Sequence, residues 1–261
     1  MLTDALAASA AELVRSGTQY TEVPIRRGLR TFLTIEDDET GERRTAKFKP
    51  WPNGKPFGVL LHSTGPGMEK YARTYKLTQE ETVSRVYGNP GNSCAHVVII
   101  PDGRRFRVVS PDLMAPHCGV SARQRAMLLD GTWRAWCSDL GEKLWGERWP
   151  GVKSPQHLFP TASGNGSYEG AEFWKLDAND PETGTPYTAD QYRSGGQWIA
   201  ERERACGFVA EGRRLVTHED VQPFERWVAS GGHDPGVLRL VPTFDMPRLV
   251  REVAAARKVA P

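Results

Sequence analysis

His62 closes the apolar run Val59-Leu60-Leu61, His218 follows Leu215-Val216-Thr217, and Asp234 opens the triplet Asp234-Pro235-Gly236. Short apolar runs of this kind form buried strands, so both histidines are expected at strand ends, where the backbone aims a side chain in one direction. Two imidazoles and a carboxylate suit a catalytic Zn2+ ion, because three protein ligands leave the fourth tetrahedral position to water. Each residue also has a plainer role. A histidine at a strand end often only satisfies hydrogen bonds within the fold, and Asp before Pro-Gly initiates turns. The metal reading, with Zn2+ as cofactor, requires the three to converge.

The chain of 261 residues has room for one large domain or two small ones. Its Lys and Arg total 34 against 32 Asp and Glu, so the net charge of +2 demands no polyanionic partner. The short basic clusters Arg26-Arg27, Arg43-Arg44 and Arg104-Arg105 are mostly flanked by acids. A nucleic-acid partner is not expected. The small apolar stretch from Ala5 to Ala11 lies between Asp4 and Glu12, which fits an amphipathic helix better than an export signal. No stretch approaches the ~20 apolar residues that cross a bilayer, so no transmembrane segment is expected. Cys94, Cys118, Cys137 and Cys206 lack paired spacing and are expected as reduced, partly buried thiols.

The elements that must hold the three residues follow from local pattern. Residues 31–35 are expected as a strand by composition, with a polar turn over 37–42. The Pro- and Gly-rich stretch Lys49-Pro50-Trp51-Pro52-Asn53-Gly54-Lys55-Pro56 breaks regular structure and marks a boundary, with an extension over 1–54 and a main domain over 55–261. Strands are expected over 57–61, 97–100, 104–110 and 171–176, and a helix after Ser121. Thr188 with Gln191 forms a capping box that starts a helix ending at Gly207, although Gly195-Gly196 interrupts it. A last helix runs from an Asp245 cap to about Lys258. Interspersed strands and helices predict an α/β fold, a mixed central sheet flanked by helices.

Longer motifs carry a resemblance. Leu61-His62-Ser63-Thr64, Ala95-His96-Val97-Val98-Ile99-Ile100 with Asp102-Gly103, and Ala115-Pro116-His117-Cys118-Gly119 resemble the front half of zinc N-acetylmuramoyl-L-alanine amidases. Those enzymes form the amidase type 2 family, related to peptidoglycan recognition proteins and phage lysozyme-type amidases. Gly170-Ala171-Glu172-Phe173, Tyr187-Thr188-Ala189-Asp190-Gln191-Tyr192, Val216-Thr217-His218-Glu219-Asp220 and Asp234-Pro235-Gly236 resemble the back half, in the expected order.

The resemblance implies that His62, His218 and Asp234 bind zinc and that Glu172 is the general base. It further implies that the substrate is peptidoglycan or a muramyl peptide, cut between the lactyl group of N-acetylmuramic acid and L-alanine. Glu169 competes with Glu172 should the strand register shift. His117 matches a segment that binds substrate or steadies the oxyanion, and a structural role stands beside that one. His96 is expected to pack; His233 adjoins Asp234 and competes for metal; His157 is an ordinary loop residue. The chain departs from the family at Ala95, where some members have tyrosine, at Gly232, where many have lysine, and at Asp234, where some relatives have cysteine.

An insertion over about 121–160 carries Trp133, Trp136, Trp145 and Trp149. Their rings stack on sugar faces in one reading and fill a core in the other, which the three-residue spacing of Trp133 and Trp136 favours. A non-catalytic peptidoglycan-binding module and a thiol hydrolase using Cys94 or Cys118 are the rivals. The second is disfavoured because neighbours on an extended strand point to opposite faces. Without an export signal, the expected setting is a phage lysin or virion-associated lytic protein acting on the cell wall after release, and next a cytoplasmic wall-recycling enzyme.

Overall fold

The computed structural model describes residues 19–36, 41–64, 67–118, 122–137, 139–161, 164–223, 235–238 and 242–259. The expected leading helix, residues 37–40 of the polar turn, Gly119, Gly232, His233 and Asp234 lie outside them. The central sheet contains β1 (Glu22–Pro24), β4 (Gly58–Ser63), β5 (Val97–Ile99), β6 (Arg105–Arg107), β7 (Tyr168–Phe173) and β8 (Leu215–Thr217). Their order is β1-β6-β5-β7-β4-β8, parallel throughout except for the β5–β6 pair. A separate antiparallel hairpin pairs β2 (Phe32–Glu36) with β3 (Arg43–Lys47).

Helices cover both faces. Successive strand residues point to opposite sides, so Val59, Leu61, Val97, Ile99, Ala171 and Phe173 pack against α5 (Ala189–Cys206) and α7 (Met246–Val259). On the other side Leu60, Tyr168 and Val216 meet α3 (Ala122–Asp130), α4 (Asp139–Arg148) and the tryptophans between and after them. Val98 and Phe106 meet α1 (Met68–Tyr75) and α2 (Gln79–Tyr87). Every residue of β4 is buried, as a parallel strand covered on both faces requires. The fold is the expected mixed sheet flanked by helices. No helix is long and apolar enough to cross a membrane among the described residues.

Two expected boundaries move. The strand placed at 171–176 runs over Tyr168–Phe173 instead. Glu169 and Gly170 give its first half a poor strand composition; pairing with β4 on one side and β5 on the other supplies what local propensity lacks. After Phe173 the chain leaves the ladder, Trp174 N donating to Ile99 O at 2.9 Å and Lys175 N to Thr64 Oγ1 at 2.8 Å. The strand expected over 104–110 pairs regularly only at Arg105–Arg107.

The Thr188–Gln191 capping box forms as expected, and Gly207 ends α5 at φ 69°. Gly195-Gly196 does not break the helix, because the pair is where α7 and the sheet come closest. A Cβ on Gly196 would sit 2.6 Å from the Glu252 backbone carbon, and one on Gly195 would sit 2.6 Å from Phe173 Cζ. Alanine would favour an exposed helix by up to about 1 kcal/mol over glycine. Here the steric cost decides the sign. Gly196→Ala should lower stability by roughly 1–3 kcal/mol, the usual penalty for overpacking, visible as a lower denaturant midpoint; an unchanged or higher midpoint would show that α7 is free to move away.

Candidate active site

His62 and Glu172 are Cα partners across β4 and β7, so both side chains rise from the face opposite α5. His218 joins them as the first residue of α6 (His218–Val221), a single turn at the end of β8, the neighbour of β4 on its other side. The His62 and His218 rings lie 4.6 Å apart at 76°. Two of the three expected ligands therefore meet. The third, Asp234, lies outside the described residues, and among those described no set of three His, Cys, Asp or Glu side chains is arranged to hold a metal ion.

The turn bearing His218 is fastened from three directions. Thr217 caps it, and the Asp220 carboxylate accepts from Thr217 N at 2.7 Å. That same carboxylate accepts from Arg148 Nε at 2.7 Å and Trp149 Nε1 at 2.8 Å, while Asp220 O accepts from Trp145 Nε1 at 2.8 Å. Glu219 Oε2 accepts from Val237 N at 2.7 Å and Leu238 N at 3.0 Å. The residues just after Asp234 are thus tied to the turn that begins with His218. Pro235 O is held as well, by Tyr187 Oη at 3.2 Å and Thr243 Oγ1 at 3.1 Å.

Trp133, Trp145 and Trp149 are buried, and Trp145 and Trp149 grip Asp220 through their indole N–H groups. These three tryptophans are core that buttresses a site residue, not a sugar-stacking platform; the Trp136 side chain lies outside what is described. Glu219, Asp220 and Gln222 were not singled out from sequence, although Thr217-x-x-Asp220 carries a helix-start pattern that would have flagged one of them.

A chain of hydrogen bonds fixes which nitrogen of each imidazole carries its proton. Tyr168 O can only accept, so His117 Nε2, 2.8 Å away, is the donor. Burial, then the neighbouring His62 and His96, holds the His117 pKa well below its ordinary value, so the ring is neutral and Nδ1 accepts. His62 Nε2, at 2.8 Å from that atom, must then donate. His218 Nε2 pairs with Gln222 Oε1 at 2.6 Å and is likewise the donor. In each of the two histidines Nδ1 is the nitrogen left as an acceptor, with Nε2 oriented by a protein group, the arrangement usual in metal-binding histidines. Two imidazole nitrogens held this way are donors of the kind zinc takes.

His117 has both nitrogens engaged by protein partners, as its structural reading expects. Gly170 makes room for it: a Cβ there would lie 2.7 Å from His117 Nδ1. His96 packs as expected. It accepts from Gly170 N at 3.0 Å, lies 2.8 Å from Leu113 O, and stacks on Trp51; burial pushes its pKa down to about 4. His157 is exposed on a 3-10 turn over Pro155–Leu158.

Strand parity separates the competing glutamates. Glu169 faces α5, fully buried, accepting from Arg107 Nη1 at 2.7 Å and Arg202 Nε at 2.8 Å. Glu172 points the other way and lines a cavity of about 970 Å3 with Met68, Tyr71 and Tyr87. The thiols are poorly placed for nucleophilic work. Burial pushes Cys94 up to about 12, and His117, beside Cys118, spends both nitrogens elsewhere.

Comparison with known proteins gives little beyond this geometry. No protein-family model and no curated protein matches the chain. Among solved structures, the chain is similar to a selenomethionine derivative of AmpD at 16% identity and a TM-score of 0.43, covering 90% of this chain and 95% of that one.

Two outcomes follow from the arrangement. Gly170→Ala should displace the His117 ring and, through it, His62. Imidazole NMR should show loss of the shared His62–His117 proton environment, and unchanged histidine spectra would show that the ring has room to spare. Glu169 supplies a pH signature. Burial raises its pKa, but attraction by Arg107, then His96 and Arg202, outweighs that and leaves it below the usual 4.5. A depressed folded pKa means its contribution is complete above 4.5 and is lost as pH falls through the folded value. Glu169→Gln should cost about 3–5 kcal/mol near neutrality, the price of stranding a buried partner, with the gap to the parent closing in acid. A gap independent of pH would contradict it.

Proposed function

We propose that the protein is a zinc-dependent N-acetylmuramoyl-L-alanine amidase, hydrolysing the amide between the lactyl group of N-acetylmuramic acid and L-alanine of peptidoglycan. The reading rests on one observation above the rest: His62 and Glu172 share one face of paired strands, the His218 ring lies 4.6 Å from that of His62, and both histidines already have Nε2 engaged by a protein acceptor. His62, His218 and Asp234 are the residues that would hold Zn2+, which when bound supplies polarisation of the scissile carbonyl and acidification of water.

The protein's own groups do the remainder. His117 keeps the His62 ring in one tautomer by accepting from Nε2 at 2.8 Å. Gln222 does the same for His218. Glu219 anchors the segment after Asp234 to the turn of His218, so the two ligand-bearing stretches are not independent. Glu172, on the cavity lining, takes a proton from the water whose oxygen adds to the scissile carbonyl carbon and returns it to the alanine nitrogen as the C–N bond breaks. Departure of a neutral amine requires that delivery, and Glu172 is the carboxylate on the histidine face of β7.

Digestion of purified sacculi followed by mass spectrometry tests the reading. Released stem peptides with a free L-alanine amino terminus are expected, with activity lost to a chelator and restored by zinc. Glu172→Gln should bind zinc like the parent yet hydrolyse at least a hundredfold more slowly, the common cost of removing a general acid-base. Reducing sugar ends would mean a glycosidase, and intact sacculi carrying adsorbed protein would mean a recognition module.

A further inference from the structure

The stretch that begins Lys49-Pro50-Trp51 stands before β4 and holds no motif, yet it is bound to the loop that leads into His117. Met114 N donates to Lys49 O at 2.8 Å, Pro50 and Leu113 form an antiparallel bridge, and Trp51 Nε1 donates to Pro111 O at 2.7 Å. Upstream, the same N-terminal segment runs beside the chain that feeds this loop: Ile25 N donates to Arg107 O at 3.0 Å and Arg30 N to Val108 O at 2.7 Å. N-terminal backbone therefore pins residues 107–114 at both ends, and His117 lies just beyond them.

The Trp51 side chain reaches further. Its buried indole stacks on His96, ring centroids 5.4 Å apart at 18°. His96 Nε2 donates to Leu113 O at 2.8 Å, because a carbonyl only accepts, and Nδ1 is then the acceptor that receives Gly170 N at 3.0 Å. His96 N donates back to Gly170 O at 2.9 Å. An imidazole thus stands in for a backbone acceptor beside the ladder of β5 and β7, and the place of Gly170 follows the tilt of that ring. The His117 ring rests on Gly170 with no room for a Cβ between them, and it meets the His96 ring edge to face at 5.5 Å. His117 in turn accepts from His62 Nε2. Trp51, His96, Gly170, His117 and His62 form one unbroken series of contacts, each fixing the next.

We propose that Trp51 is a positioning residue for the candidate zinc ligand His62, acting through His96, Gly170 and His117, and that the Lys49–Trp51 stretch is a working part of the active site rather than a spacer. The proposal rests on the zinc amidase reading, which is what makes the orientation of His62 matter. Acting from behind the site, Trp51 narrows the directions open to the His62 ring before an ion arrives, so that less order has to be imposed on binding.

Zinc affinity, measured by competition with a chromophoric chelator, and imidazole NMR of the zinc-free protein are compared in the parent, Trp51→Phe and Trp51→Leu. Phenylalanine keeps a ring over His96 and loses the bond to Pro111 O, whereas leucine loses both. Trp51→Leu should bind zinc roughly tenfold to a hundredfold more weakly, the range for disturbing the partners of a metal-ligating histidine, with the His62 and His117 resonances moved. Trp51→Phe should stay close to the parent in both. Parent-like affinity and imidazole spectra in folded Trp51→Leu would overturn the proposal, and so would equal losses in the two variants, the mark of general packing damage. If Trp51→Leu does not fold, the coupling is read in reverse, since it is reciprocal. In fluorotryptophan-labelled parent, the fluorine signal missing from Trp51→Phe should shift as zinc is added, and a signal that stays in place would overturn the proposal. None of these readouts needs substrate. A zinc-loaded parent that releases no stem peptides would end the amidase reading and leave the positioning of a zinc ligand standing, whereas a parent that binds no zinc would end both.

Discussion

The buried Asp220 carboxylate is the contact on which the rest of the site depends. It accepts from the cap residue Thr217, from Arg148 and from Trp149, so it joins the end of β8, the α6 turn and the tryptophan insertion at one point. A carboxylate without exposure is costly unless every lone pair is used, and Asp220 is surrounded by donors. One consequence is geometric. His218 begins a turn that cannot rotate without breaking charge-assisted bonds, and so its ring is delivered to His62 in a set orientation. Glu219, one residue away, carries that rigidity to Val237 and Leu238.

Imidazoles crowded together in a dry setting cannot all be charged. The His117 ring lies 5.0 Å from His62 and 5.5 Å from His96, and its lowered pKa follows first from burial and then from those neighbours. A carbonyl, Tyr168 O, starts the order of donors and acceptors, and the order runs through His117 to His62. The backbone thereby selects the nitrogen that His62 presents. Gly170 is part of the same device, since any side chain there would meet His117 Nδ1 at van der Waals overlap. Glycine is required at that position for space, not for backbone freedom.

Much of this was legible from residue types. Apolar runs ending in His62 and following through to His218 located the two strands that hold the rings; the Thr188–Gln191 box and Gly207 located α5 to the residue. What escaped was set by partners distant in sequence. Tyr168-Glu169-Gly170 has no strand pattern and becomes β7 only because β4 and β5 pair with it. The glycine pair in α5 reads as a helix fault until α7 is laid across it. The choice between Glu169 and Glu172 is decided by which face of β7 each occupies, and a one-residue uncertainty in register exchanges the answer.

Strand parity also gives the two glutamates of one strand opposite surroundings. Glu169 lies on the α5 face, where Arg107 and Arg202 close around it and hold it ionised; fully enclosed, it has no path to a substrate proton. Glu172 stands on the other face beside the open cavity, on the strand next to His62. A group that must gain and lose a proton during turnover cannot be locked between two guanidinium ions, because the protonated form would strand both. On the proposed reading Glu172 is the one of the pair able to shuttle a proton, and the guanidinium ions around Glu169 exclude it from that role.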